Sequence, residues 1–111
     1  MSYIYAVTSL QLSPEQTDAI EQAIERSGLA GAFTMGFKQY PAEFCAGLAV
    51  DQITFFLCVP DDTDVNKRRE LNKLINDTMI SVAGYKGEFK VIVIFWPYEG
   101  KDALVDGQLA G

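Results

Sequence analysis

The sequence predicts an α/β chain of the α+β kind: a double β-α-β arrangement with a four-stranded mixed sheet and two helices on one face. Three observations predict it. Four runs rich in aromatic and β-branched residues read as strands. Two stretches with helical apolar spacing and capping signals fall between them, giving the order β-α-β then β-α-β. Each helical stretch is long enough to carry the chain back along the sheet. The two strands of each unit should therefore run parallel, joined by a right-handed crossover.

The first strand is "YIYAVTS" (3–9), which starts almost at the first residue. Such an early strand is unusual, because chain ends are loose unless something ties them down. "SPEQ" (13–16) then signals a helix start. Ser13 can cap, Pro14 suits the first helical position, and Gln16 completes a capping box. Ile20, Ala23 and Ile24 supply the apolar stripe, and Gly28 supplies the stop. "AFTMGFKQY" (32–40) is the second strand, closed by Pro41.

The second half repeats the plan. "QITFFLCV" (52–59) is a strand with apolar residues on both faces, followed by the turn-like "PDDTD". A long helix runs from about Asp64 to Ala83, with the stripe Leu71, Leu74, Ile75, Thr78, Met79 and Val82, and ends at Gly84. "FKVIVIFW" (89–96) is the last core strand, expected to end at Pro97. No linker separates the halves, so residues 1–111 are read as one domain, and the apolar stretch 42–50 can hold a short strand.

Two helices cover one face of this sheet, yet strands 53–59 and 91–96 carry no clean polar face. A large apolar sheet face is not expected to stand in water, and parallel apolar strands are normally covered on both sides. Copies of the chain should therefore cover the second face, and a homo-oligomer is predicted.

Composition narrows the function. The net charge of −6 disfavours nucleic acid and anionic membrane as partners, since phosphate binding needs clustered Lys and Arg. The single basic cluster, "NKRRE" (66–70), reads as a solvated helix face. No signal peptide is expected after Met1, and the runs "ITFFLCV" and "VIVIFW" are too short to span a bilayer. Cys45 and Cys58, both in apolar context, read as buried thiols of a cytoplasmic protein. The chain has no histidine. That excludes Ser-His-Asp and Cys-His catalysis and argues against zinc, so neither metal nor cofactor is expected. Any acid–base chemistry falls to carboxylates, Lys, Tyr, Cys or the chain terminus.

With the element order, the oligomer requirement and the terminal strand in place, the chain resembles the tautomerase superfamily, the group of macrophage migration inhibitory factor. Two stretches resemble its cis-3-chloroacrylic acid dehalogenase type: "GFKQYPAEF" (36–44), and "RELNKLINDTMISVAGYKGEFKVIVIFW" (69–96) running into "ALVDGQL" (103–109). The resemblance implies a trimer with a central channel, helices outside, and pockets at subunit interfaces beside each N-terminus. In active members a proline follows the initiator Met, and its amine, with a lowered pKa, is the base or acid. Ser2 stands at that position here.

Other positions depart as well. The dehalogenase relatives carry substrate-binding arginines in the loop after the third strand, where this chain has Asp61, Asp62 and Asp64, which repel an anion. Polar pocket residues of active members fall on Ile92 and Ile94. Asp106 resembles their water-activating acid. Ser2, Lys38 and Asp106 are thus the catalytic candidates, and Tyr40, Ile92, Ile94 and Trp96 the ligand-pocket candidates. Lys38 can bind an acid, or form a Schiff base where desolvated; it can equally be an exposed strand-end lysine. Phe95 and Trp96 suit an interface pocket or plain core. Asp61 and Asp62 fit the helix start better than a cation site. "GLAGAFTMG" (28–36) lacks the strand-before, helix-after setting of a phosphate loop.

Three functional readings follow. The first is a trimeric scaffold without proline-dependent chemistry, holding a small apolar or aromatic ligand in apolar interface pockets. The second is an active isomerase, hydratase or decarboxylase on a small oxo-acid, using a Ser2 amine or Lys38. The third is a ferredoxin-like ligand-binding dimer, which the long 41–51 connection disfavours.

Overall fold

A computed structural model describes residues 1–41 and 51–109. The expected short strand within 42–50 and the Cys45 thiol lie outside the described residues. Strand β1 (Ser2–Thr8), helix α1 (Pro14–Ser27), β2 (Phe33–Gln39), β3 (Gln52–Pro60), helix α2 (Val65–Ala83) and β4 (Lys90–Tyr98) follow in the predicted order. The sheet order is β2-β1-β3-β4. β1 pairs parallel with β2 and antiparallel with β3, and β3 pairs parallel with β4. A short hairpin of β5 (Leu104–Val105) and β6 (Gln108–Leu109) follows a 3-10 turn at Gly100–Asp102.

The local signals act as chemistry requires. The Ser13 hydroxyl accepts from the Gln16 N–H at 3.1 Å, and the Gln16 side chain accepts from the Ser13 N–H at 2.9 Å. That capping box satisfies two of the donors a helix start leaves orphaned. Replacing Ser13 by Ala is expected to cost about 1 kcal/mol, read as a lower urea midpoint at unchanged slope. Gly28 and Gly84 end the helices at φ of 69° and 68°, a region that penalises any side chain.

Alternation along the strands divides the sheet. Ile4, Ala6, Ile53, Phe55, Leu57 and Val59 on the two central strands are buried beneath the helices. Ile20 and Ile24 of α1 and Leu71, Ile75, Thr78 and Met79 of α2 close over them. The central position of β1 ties down the chain start: Ser2 is only 4% exposed and sits opposite Phe33 in the ladder.

The opposite face is open in the single chain. Register places Tyr5, Phe56 and Ile94 in one cross-strand row, Tyr3, Cys58 and Trp96 in the next, and Val7, Thr54 and Ile92 in the third. Tyr5 is 50% exposed, Ile94 42% and Trp96 64%. This is the uncovered apolar face that the sequence pattern implied.

Two expectations change. β4 does not end at Pro97 but runs on to Tyr98. β4 is an edge strand, and the Tyr98 carbonyl accepts from the Asp61 N–H at 2.8 Å across the ladder. The adjacent Pro97 therefore turns its backbone to the free edge, where a missing N–H costs nothing. Cys58 is half-buried rather than buried, because its register partners Tyr3 and Trp96 put it on the open face. No helix among the described residues is long and apolar enough to cross a membrane.

Candidate functional site

Cavities flank the start of the chain on both sides of the sheet, and a further one, about 290 Å³, is lined by Met1, Glu21, Glu25, Gly31, Ala32 and Phe33. The helix-side cavity, about 300 Å³, is lined by Met1, Ser2, Ala32, Asp62, Asp64 and Lys67 among others. It forms because β1 starts where β3 ends, so the antiparallel pair brings the first residues against the β3–α2 loop. Asp64 caps α2, its carboxylate accepting from the Lys67 N–H at 2.8 Å. The helix-start role thus falls to Asp64, while Asp61 and Asp62 precede it as exposed loop residues. Among the described residues no group of His, Cys, Asp or Glu is placed to hold a metal.

Ser2 is fully engaged at the cavity wall. Its N–H donates to the Ala32 carbonyl at 2.9 Å, and its hydroxyl donates to the Ala30 carbonyl at 3.0 Å. With Met1 attached, the Ser2 nitrogen is an amide and has no basicity. Its hydroxyl has no histidine to activate it. The hydrogen bonds make Ser2 a clamp between β1 and the loop before β2.

The open-face cavity, about 320 Å³, is lined by Tyr3, Cys58, Trp96, Tyr98, Asp102 and Ala103. The Tyr3 and Tyr98 rings meet at 6.0 Å with a 55° tilt. The Tyr98 hydroxyl donates to the Met1 carbonyl, so one side chain links β4 to the chain start. Burial, with Tyr3, Cys58 and Asp62 nearby, raises the Tyr98 phenol above its ordinary pKa.

The structure does not bring Ser2 and Lys38 together. Parallel pairing sets Ser2 opposite Phe33 and Lys38 opposite Val7. Five strand residues separate the two levels, roughly 16 Å at the usual rise. Lys38 is exposed at the far end of an edge strand. Tyr40, half-buried, donates its N–H to the Thr8 carbonyl at that same end. Ile92 and Ile94 lie on the open face, Ile94 one row from Trp96. Trp96, of the pocket candidates, lines the open-face cavity beside the chain start.

Asp106 sits in the β5–β6 turn with Gly107, at φ of 52° and 80°. Positive φ at both central residues is the hairpin turn that Asp-Gly favours, which gives this aspartate a structural role. The basic cluster divides in the way a solvated face does. Lys67 and Arg69 are exposed, while Arg68 bonds the Thr63 carbonyl at 3.1 Å and lies 5.9 Å from the centre of the Phe95 ring. Sequence reasoning missed Tyr3, Cys58 and Tyr98 as cavity residues. Only the two-residue spacing of Tyr98 to Trp96, and for Tyr3 and Cys58 a register no pattern states, could have found them.

No protein-family model matches the chain, and no curated protein matches it. Solved structures do. The fold is that of macrophage migration inhibitory factor and the tautomerases. A macrophage migration inhibitory factor-like protein from Entamoeba histolytica superposes with a TM-score of 0.75 at 14% identity, covering 97% of each chain. A macrophage migration inhibitory factor homologue from Prochlorococcus marinus gives 0.75 at 11% identity, covering 98% of this chain and 99% of that one. A fused 4-OT described as an asymmetric trimer gives 0.73 at 14% identity, covering 97% of this chain and 95% of its own. The macrophage migration inhibitory factor fold thus spans nearly the whole chain, on a backbone likeness that sequence identity barely reflects.

Proposed function

We propose that the chain is a tautomerase-superfamily homologue, of the cis-3-chloroacrylic acid dehalogenase type, that has given up proline-dependent catalysis. It assembles as a cytoplasmic homotrimer with apolar interface pockets for a small apolar or aromatic ligand. The observation that carries the reading is the open sheet face, where Tyr5, Ile94 and Trp96 stand exposed in a single chain. Contiguous apolar surface of this kind marks an interaction site. The trimeric assembly of the fused 4-OT neighbour supports three copies rather than two.

The catalytic half of the reading rests on Ser2. Its amide and hydroxyl are committed to the Ala32 and Ala30 carbonyls, and Asp62 and Asp64 line the adjoining cavity. Carboxylates there oppose an oxo-acid anion. The free thiol of Cys58 fits a reducing compartment.

Native mass spectrometry is expected to give three times the 12.3 kDa chain mass; a single-chain mass at micromolar concentration would sink the trimer. Enol–keto conversion of phenylpyruvate by Met1-free protein is expected to run no faster than in buffer, with Ser2→Pro as the gain-of-function control. Turnover in the unaltered protein that Lys38→Ala removes would instead establish an active isomerase.

A further inference from the structure

The open-face cavity carries one step further, which rests on the ligand-pocket part of the reading above. Tyr3, Cys58 and Trp96 form one cross-strand row, so the small Cys58 of β3 lies between aromatic residues on β1 and β4. Those outer strands stand two spacings apart, roughly 10 Å, which leaves a slot floored by the thiol. Tyr98 follows Trp96 at the next same-face position and meets Tyr3 ring to ring. Asp102 and Ala103 form the rim.

Among the described residues, the side chains lining this slot carry charge of one sign, and the α-amine of Met1, whose carbonyl Tyr98 bonds, lies outside the lining. No Lys or Arg lines it, Asp102 does, and Asp62 lies near enough to act on the Tyr98 phenol. The Tyr98 hydroxyl is committed to the Met1 carbonyl, which leaves its ring as the surface available to a guest. Aromatic faces are the negative ends of ring quadrupoles and attract cations. A metal ion would find too few oxygen ligands here. An anion would meet the carboxylate and the rings, both repulsive.

We propose that this cavity binds a small organic cation of the alkylammonium class, its methyl groups against Tyr3, Trp96 and Tyr98 and its charge balanced by Asp102. Apolar surface and positive charge are both needed. A neutral guest of the same shape gains only the first.

Trp96 is the one tryptophan of the chain, so its emission reports from the wall of the slot. The full chain is titrated with choline and, separately, with dimethylbutanol, in which carbon replaces the charged nitrogen. Choline is expected to shift the emission saturably, with the neutral isostere about tenfold weaker. Added salt should weaken choline alone. Asp102→Asn, at an exposed turn position, should narrow the gap between the two ligands, as should Trp96→Leu followed by calorimetry. Equal affinity for both ligands overturns the cation assignment and leaves the apolar pocket standing. No response of emission or heat to either ligand overturns the cation assignment and the pocket together. Native mass on the same samples reads the trimer independently of both outcomes.

Discussion

Replacing Ile94 by Asp is expected to convert the assembly to single chains of 12.3 kDa, read by light scattering, with helical circular dichroism unchanged. Ile94 lies in the middle row of the open face, paired in register with Phe56, which pairs in turn with Tyr5. In an isolated chain it is 42% exposed, so a carboxylate there is solvated and the fold loses little. In the proposed trimer this face is the contact surface, so the same position would be covered. An ionised carboxylate without a partner in an apolar interface costs several kcal/mol, and each copy would carry one. The loss of association should therefore far exceed the loss of chain stability. A variant that keeps the three-chain mass would show that this face is not the contact surface.

The second large effect belongs to the core. Phe55→Ala is expected to destabilise by about 3–5 kcal/mol, a large share of a domain's total stability. Phe55 is fully buried at the centre of β3, between Ala6 on β1 and Val93 on β4. The small Ala6 side chain makes room for the ring, so truncation opens a cavity that neighbouring strands cannot close. Urea unfolding at fixed protein concentration checks this, since the proposed assembly would add a concentration-dependent term. Lys38→Ala, at an exposed edge position, is the matched control and should move the midpoint by less than about 0.5 kcal/mol. A Phe55→Ala midpoint as close to the parent as that of Lys38→Ala would refute the central-core assignment.

Particular residues show how far pattern reading reaches. Ser13, Gln16 and Gly28 announce α1, because capping needs only neighbours three residues apart. The continuous apolar run of β3 predicts a strand covered on both sides; the single chain covers one face with helices and leaves the other open. Pro97 misleads, because a proline stops a strand only where its missing N–H faces a partner. Which side of β4 is free depends on sheet order, and sheet order is a long-range property.

The candidate site divides in the same way. Ser2 and Trp96 are legible as cavity-lining residues, the one from its place after Met1 and the other from its interface chemistry. Lys38 is not, because nothing local says that parallel pairing puts it opposite Val7, far from the chain start. Asp106 reads as an acid in the sequence and as an Asp-Gly turn in space. Tyr3 and Tyr98 are separated by most of the chain and meet at 6.0 Å.

By itself, then, the sequence determined the four core strands and two helices, their order, the parallel pairing within each half and the apolar second face, but not the short hairpin after β4. Periodicity, caps and crossover lengths are local quantities, and they suffice for those features. The tertiary structure alone decided that β1 and β3 pair antiparallel at the centre of the sheet. From that follow the buried Ser2, the cavities on either side of the sheet beside the chain start and the row of Tyr3, Cys58 and Trp96. The physical reason is register: a shift of one residue between strands exchanges every side chain between the helix-covered face and the open one.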